Sequence, residues 1–289
     1  MKMKKLIALA LSALLLMSMF AGCVANEPTT PGTNTYNINT VEAGYLTVIT
    51  SPDYAPYEFY VVKDNGEYQL AGFDMALAQY IADYLGLTLK VVPMSFDGII
   101  MEMAAGKADL AIAGLSPDPD RAGTIDFSDI YYGGKQAFVT TKEKAAQFTD
   151  LASTNNSAYT IAAQTGTIQN DLAAQYSPNA NLINLEAATS IVAELSQNLI
   201  DGAYIEWDVA VAYQAQYPNL QILCEVPYTD DGNIIGVAKG NADLLKYVNE
   251  ALNKCISDGT FAQFVDTALK QAAGDTYEGL LPSESADEK

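Results

Sequence analysis

The chain contains no histidine and only one tryptophan and one arginine, and its cysteines are Cys23, Cys224 and Cys255. Without histidine there is neither a Ser-His-Asp triad nor a histidine-held metal. No two cysteines stand at CxxC spacing, which removes a dithiol redox centre. P-loop, GxGxxG and EF-hand patterns are also missing, so nothing calls for a cofactor or metal. Positive charge is scarce as well: 35 acids face 15 bases, a formal net charge of −20. So acidic a chain repels nucleic acid and anionic lipid surfaces, and neither is an expected partner.

What is present begins with an address. Lys2, Lys4 and Lys5 precede an uncharged, mostly apolar run from Leu6 to Phe20, too short for a comfortable membrane span. Residues 1–22 therefore read as a signal peptide. Ala21 and Gly22 are small and directly precede Cys23, and a polar segment follows, so lipidation of Cys23 is expected. Loss of the three signal lysines, with no acid among residues 1–22, takes the net charge from −20 to −23. Residues 23–40, rich in Asn, Thr and Pro, read as a flexible tether, and 274–289 as an acidic tail. These features place a lipid-anchored monomer on the outer face of a cell membrane or in the periplasm. The body of about 235 residues is enough for two small domains or one large one.

Within that body strands and helices alternate. Strands are expected at Tyr45–Thr50, Glu58–Val62, Leu87–Val92 and Ala108–Ala113, with helices at Asp74–Leu85 and Asp97–Ala105. The second half repeats the order: strands at Tyr159–Ala163, Asn181–Leu185 and Gly202–Glu206, helices at Thr167–Tyr176 and Ala188–Asn198. Helices at Ala242–Ser257 and Thr260–Ala273 close it. Gly106–Ile112 and Asn198–Ile205 echo each other, each leaving a helix, turning on an aspartate and entering a strand. Two similar α/β halves predict two lobes with a cleft between them, and ligands in such sheets bind beyond the carboxyl ends of the strands. Cys224, on a strand-like run, and Cys255, in a helical one, read as buried free thiols rather than a bridge, although an exported protein permits one.

The informative residues fall at those strand ends. Gly114 permits close backbone approach, Ser116 carries a hydroxyl, and Arg121 offers a planar fork of donors for a carboxylate. Arg121 is equally suited to an ordinary surface ion pair. Thr167 stands where a helix start leaves amides free for an anion, or simply caps that helix. Glu206 ends the echoed strand, where an acid would pair with an ammonium; Trp207 and Asp208 beside it also read as a helix start. Tyr54, Tyr57 and Phe96 are aromatics in or near strand-end loops, suited to an aliphatic stem or to the core.

Taken in order, these segments form a pattern. Gly72–Leu85, Phe96–Ile100, Gly106–Asp109, Ala113–Ser116, Asp120–Arg121 and Asp126–Tyr131 are followed by Gln164–Thr167, Asp201–Ala203, Gly236–Ala238 and Asp258–Phe261. From Tyr45 to Leu269 the chain resembles the extracellular solute-binding proteins, family 3, which serve polar amino-acid ABC importers. The resemblance implies an α/β, two-lobed, periplasmic-binding-protein-like type II fold, its lobes joined by two crossing strands. It implies lobe 1 over 41–134 and 238–273, lobe 2 over 135–237, and crossings near Lys135–Val139 and Ile234–Ala238. By matched position Arg121, Ser116 and Thr167 would hold an α-carboxylate. Glu206 and the Gly114 carbonyl would hold an α-ammonium, with Tyr54 and Phe96 flanking the side chain. Ser51, Gln164, Ile168 and Gln169 would meet the side chain's end.

Several positions depart from the family pattern. Ala76 replaces an acid of the signature helix, Phe96 stands where Trp is common, and Glu206 where Asp is usual. Ser51 replaces an aspartate that touches a polar ligand side chain, which turns the expectation toward a neutral polar or sulfur-containing amino acid. The expected partner is an ABC permease, and the expected activity is binding without catalysis. Two alternatives stay open: a cyclohexadienyl-dehydratase-like enzyme on the same fold, or a ligand-delivering partner of a sensor receptor.

Overall fold

The computed structural model describes residue 36 and residues 38–228, 232–274, 276–277, 279–281 and 284. The expected signal peptide, Cys23 and residues 24–35 of the tether lie outside the described residues. The chain opens with β1 (Tyr45–Thr50), β2 (Phe59–Val62), β3 (Tyr68–Ala71), α1 (Phe73–Leu85), β4 (Thr88–Pro93) and α2 (Ile99–Ala104). Then come β5 (Leu110–Ala111), β6 (Ile125–Phe127), β7 (Gln136–Thr141), β8 (Thr160–Gln164), α3 (Ile168–Tyr176) and β9 (Asn181–Leu185). It continues through α4 (Ala188–Ser196), β10 (Gly202–Glu206), α5 (Trp207–Gln216), β11 (Leu220–Val226) and β12 (Gly236–Ala238). Last are α6 (Ala242–Ser257), α7 (Thr260–Ala272) and β13 (Thr276–Tyr277).

Local sequence explains the best-placed elements. In α1 every fourth residue from Phe73 through Leu77 and Ile81 to Leu85 is buried, as one helical face requires. The helix stops at Gly86, whose φ of 70° is a left-handed conformation open to glycine. Its start depends on another glycine. Gly72 has φ 110°, and a Cβ there would lie 2.0 Å from the Tyr57 carbonyl oxygen, so no other residue fits.

Two five-stranded sheets carry the fold, ordered β4-β1-β5-β12-β6 and β9-β8-β10-β7-β11. In both, the first three strands are parallel and the fourth runs antiparallel to its neighbours. The two lobes thus share one topology. The echo in the sequence is one device used twice. Gly106 (φ 69°) and Asn198 (φ 59°) are both left-handed at a helix end. Three residues on, Asp109 accepts the Thr47 N–H and Asp201 the Thr160 N–H, each bracing the second strand of its sheet, β1 or β8.

The crossings differ in detail from expectation. Lys135–Val139 and Ile234–Ala238 run largely inside the sheets as β7 and β12, and the connecting segments pair one step earlier, Tyr132 opposite Asn233. Ile234 already donates to the Leu115 carbonyl in the loop beyond β5. Each connecting segment supplies the antiparallel strand of the lobe it enters, and an apolar run looks the same on either side of that junction. The strand expected over Ala108–Ala113 shortens to β5, because the chain beyond Ala111 turns into the site loop.

Residues expected as an acidic tail are in part paired with the body. β13 pairs antiparallel with β2, and Tyr60 Oη donates to Glu284 at 2.8 Å. The rings of Tyr60, Tyr68 and Tyr277 supply the apolar contact that the tail's composition concealed. Cys224 and Cys255 are free thiols, the first half-buried and the second buried. Among the described residues no helix is long and apolar enough to cross a membrane.

Candidate ligand-binding site

A cavity of about 330 Å³, part of it open to solvent, lies where the strand-end loops of both lobes meet. Tyr54, Phe96, Gly114, Ser116 and Arg121 line it from the first lobe, and Gln164, Thr167, Gln169 and Glu206 from the second. Ile168 lines it too, so of the positions matched to a ligand only Ser51 falls outside the cavity.

Arg121 ends a short 3-10 turn, Pro119–Arg121, opened by the Asp118 side chain accepting the Asp120 N–H. Its guanidinium is buried and splayed between partners. Nη1 donates to the Ser116 carbonyl at 3.3 Å and Nη2 to the Gly166 carbonyl of the other lobe at 2.9 Å, while Nε lies 3.5 Å from Asp118 Oδ2. Burial pushes its pKa down, and Asp118 and Asp171 oppose that shift. The Phe96 ring sits 5.7 Å from the guanidinium carbon. Five N–H donors exceed these three acceptors, so two remain for a carboxylate.

Thr167 is the N-cap residue of α3 by position, but its hydroxyl does not cap. It donates back to the Gln164 carbonyl at 2.7 Å. The backbone N–H groups of Ile168 and Gln169 find no protein acceptor among the described residues. Arg121 thus reaches a helix start with free amides, and both attract an anion.

Glu206 supplies the opposite charge. It ends β10 and starts α5, where Oε2 accepts the Val209 N–H at 2.9 Å and Oε1 the Lys135 N–H at 3.4 Å. It is 2% exposed. Burial first, and then neighbouring Asp208, push its carboxyl up to about 8, against the pull of those backbone bonds. A carboxylate so deprived of water is stabilised by any cation that enters.

Gly114 has φ 56°, and a Cβ there would come within 3.2 Å of the Tyr54 ring. Its N–H donates to Asp74 Oδ2 at 2.8 Å and its carbonyl accepts from Asn233 Nδ2 at 2.7 Å. Asp74, in the first turn of α1, also takes the Tyr131 hydroxyl at 2.8 Å, and its carboxyl is raised to about 6, chiefly by burial. Tyr54 packs against Tyr57 with ring centroids 5.4 Å apart and takes a hydrogen bond from Gln169 at 3.3 Å.

Ser51 is the exception. It is buried off the cavity, its hydroxyl donating to Asp53 Oδ1 at 2.8 Å. A serine is too short to reach the ligand's space from there, and Asp53 two residues on captures it. Sequence reasoning missed Gln136 and Asn233, which line the cavity, and Asp53 and Asp74, which hold lining groups from behind. Gln136 and Asn233 flank the crossing, so pairing Tyr132 with Asn233 by sequence would have found them. The acids carried no such signal.

Comparison with known proteins places this geometry. Residues 46–271 match the model of the bacterial extracellular solute-binding proteins, family 3. The arginine-binding extracellular protein ArtP of Bacillus subtilis (strain 168) is 28% identical over 251 residues, 84% of this chain and 93% of that protein. The crystal structure of an amino acid ABC transporter substrate-binding protein from Streptococcus pneumoniae Canada MDR_19A, bound to L-arginine, superposes with TM-score 0.74 at 33% identity. That match covers 81% of this chain and 95% of the other. A cyclohexadienyl dehydratase of Pseudomonas aeruginosa is 33% identical over 111 residues, 38% of this chain and 40% of the enzyme.

Proposed function

The chain belongs to the bacterial extracellular solute-binding proteins, family 3, and from that premise we propose that it captures one α-amino acid and hands it to an ABC importer. One observation carries this reading: a buried guanidinium from one lobe and a desolvated acid from the other line a single cavity. An α-amino acid presents both complementary charges. Its carboxylate would lie on Arg121, the Ser116 hydroxyl and the amides opening α3, and its ammonium on Glu206 and the Gly114 carbonyl. Tyr54 and Phe96 would flank the side chain. Bridging both lobes makes the ligand favour the closed arrangement, which is the physical requirement for closure on binding.

Titration calorimetry of the purified protein against the twenty L-amino acids tests this. At least one is expected to bind at micromolar concentration or tighter, about 8 kcal/mol of binding free energy. Affinities no tighter than millimolar across the panel would remove the reading. The dehydratase alternative draws on one observation, an acid in the cleft that holds its proton near neutral pH. Conversion of arogenate or prephenate to an aromatic product would decide for it; binding alone is expected.

The reading includes a monomer tethered outside the cell by lipid on Cys23, with lobes over 41–134 with 238–273 and over 135–237. The tether is supported by the small residues before Cys23 and by the family's extracellular setting. Cys23→Ser is expected to move the protein from the membrane fraction to the medium or the periplasmic extract. Retention in the membrane would refute the anchor.

A further inference from the structure

Gln164 stands on the cavity wall at the end of β8, held from behind by groups that only accept. Its Nε2 donates to Asp53 Oδ2 at 3.1 Å and to the Glu186 carbonyl at 3.0 Å. Both amide protons are therefore taken. The reversed amide would press its oxygen against a carboxylate and a carbonyl, so the neighbours themselves fix which atom is nitrogen. No described donor reaches Gln164 Oε1, and it is not among the sealed, unpaired atoms of the interior. The wall offers the cavity an acceptor there.

Asp53 sets this orientation from the other lobe. Its carboxylate receives the Ser51 hydroxyl at 2.8 Å and the Ala188 N–H at 2.9 Å in addition to Gln164. Ala188 opens α4, where the helix favours an anion. Burial pushes the Asp53 carboxyl up, and the bonds from Ser51, Ala188 and Gln164 pull it back. Tyr213 Oη donates to the Asp53 carbonyl at 3.1 Å, so this residue makes three contacts with the opposite lobe.

We propose that Asp53 is a specificity-determining positioning residue: by turning the Gln164 oxygen into the cleft, it selects amino acids whose side chains carry N–H donors. The inference rests on the cleft being an amino-acid site, and it names the class as amide, guanidinium or protonated imidazole. A thioether leaves Oε1 without a donor, and a sulfoxide or carboxylate sets one acceptor against another. The expectation of a neutral polar or sulfur-containing ligand thereby narrows to the donor-bearing side, with arginine and histidine admitted. Without Asp53 only the Glu186 carbonyl still favours the nitrogen in that position, so the carboxamide is held less firmly with its oxygen toward the cavity.

The test is a ratio of affinities measured by calorimetry. The tighter-binding of glutamine, arginine and histidine is compared with methionine sulfoxide, a neutral amino acid of glutamine's length whose side chain only accepts. The wild type is expected to prefer the donor-bearing ligand by about tenfold or more. In Asp53→Ala the preference is expected to fall to about threefold or less. Loss of lobe contacts by itself weakens both ligands alike and leaves the ratio unmoved. Asp53→Asn places its own carboxamide oxygen where Oδ2 stands and is expected to restore the preference. Gln164→Met, which removes the acceptor directly, is expected to lose it even if Asp53→Ala does not fold. Unchanged ratios in Asp53→Ala or Gln164→Met, or a wild type that prefers the sulfoxide or methionine, overturn the inference alone. A wild type that binds no amino acid overturns the amino-acid reading and the inference together.

Discussion

Arg121→Ala is expected to weaken amino-acid binding by about a hundredfold or more, close to 3 kcal/mol, the cost of leaving a buried carboxylate without its charged partner. The guanidinium does three things at once. It would neutralise the proposed ligand's carboxylate, while it ties its own loop through Ser116 and Asp118 and reaches the Gly166 carbonyl across the cleft. Arg121→Lys keeps the charge but not the planar fork, and it cannot serve the loop, the opposite lobe and the ligand together. Its affinity should therefore lie much nearer the alanine variant than the wild type. Calorimetry with the tightest ligand of the wild type is the measurement, and a thermal melt separates binding loss from unfolding. Wild-type affinity in a folded Arg121→Ala protein would remove the carboxylate assignment.

The second large effect is a proton. Free Glu206 titrates at about 8, so at pH 7 it is mostly protonated. An ammonium arriving beside it favours the charged form and lowers that value. Binding at pH 7 should therefore release a proton, and affinity should rise with pH, by up to about tenfold per unit, until it levels near pH 8. Calorimetry in two buffers of different ionisation enthalpy reads the release directly. Heats that do not depend on the buffer would contradict the role of Glu206. Glu206→Gln should abolish the release and most of the affinity, since a neutral amide cannot compensate the ammonium.

The stability of the unliganded protein should move the other way. The folded carboxyl has a pKa above the unfolded 4.5, so the folded state holds more protons between those values. Stability from this group is then full at low pH and falls as pH rises toward 8. Glu206→Gln, without a charge to bury, should be at least as stable as the wild type when unliganded at pH 8. A residue kept for folding would behave oppositely, so the pair of measurements separates a binding role from a structural one.

Much of this was legible beforehand because the signals are local. The buried stripe of α1 and the full spans of β1, β9, β10 and α6 follow from periodicity, caps and turn residues that act within a few positions. The echo around Asp109 and Asp201 was readable for the same reason. Arg121 stood out by being alone, yet a lone arginine suits a surface ion pair equally well. Its place in an ordered set of motifs, opposite Thr167 and Glu206, is what favours the proposed ligand role.

The sequence by itself determined a two-lobed α/β chain with an arginine, a helix start and an acid waiting at strand ends. Tertiary structure decided which backbone and side-chain groups those residues meet. Arg121 turned out to bridge to Gly166, 45 positions away. Ser51 left the cavity for Asp53, and Asp53 crossed the cleft to orient Gln164, 111 positions away. Residues of the supposed tail found a sheet edge at β2. Hydrogen bonds are short and directional, so a partner more than a hundred residues distant leaves no period or spacing in the chain. Only the packing of one lobe against the other brings such atoms within hydrogen-bond distance, and there the orientation of a single amide can decide what the cleft accepts.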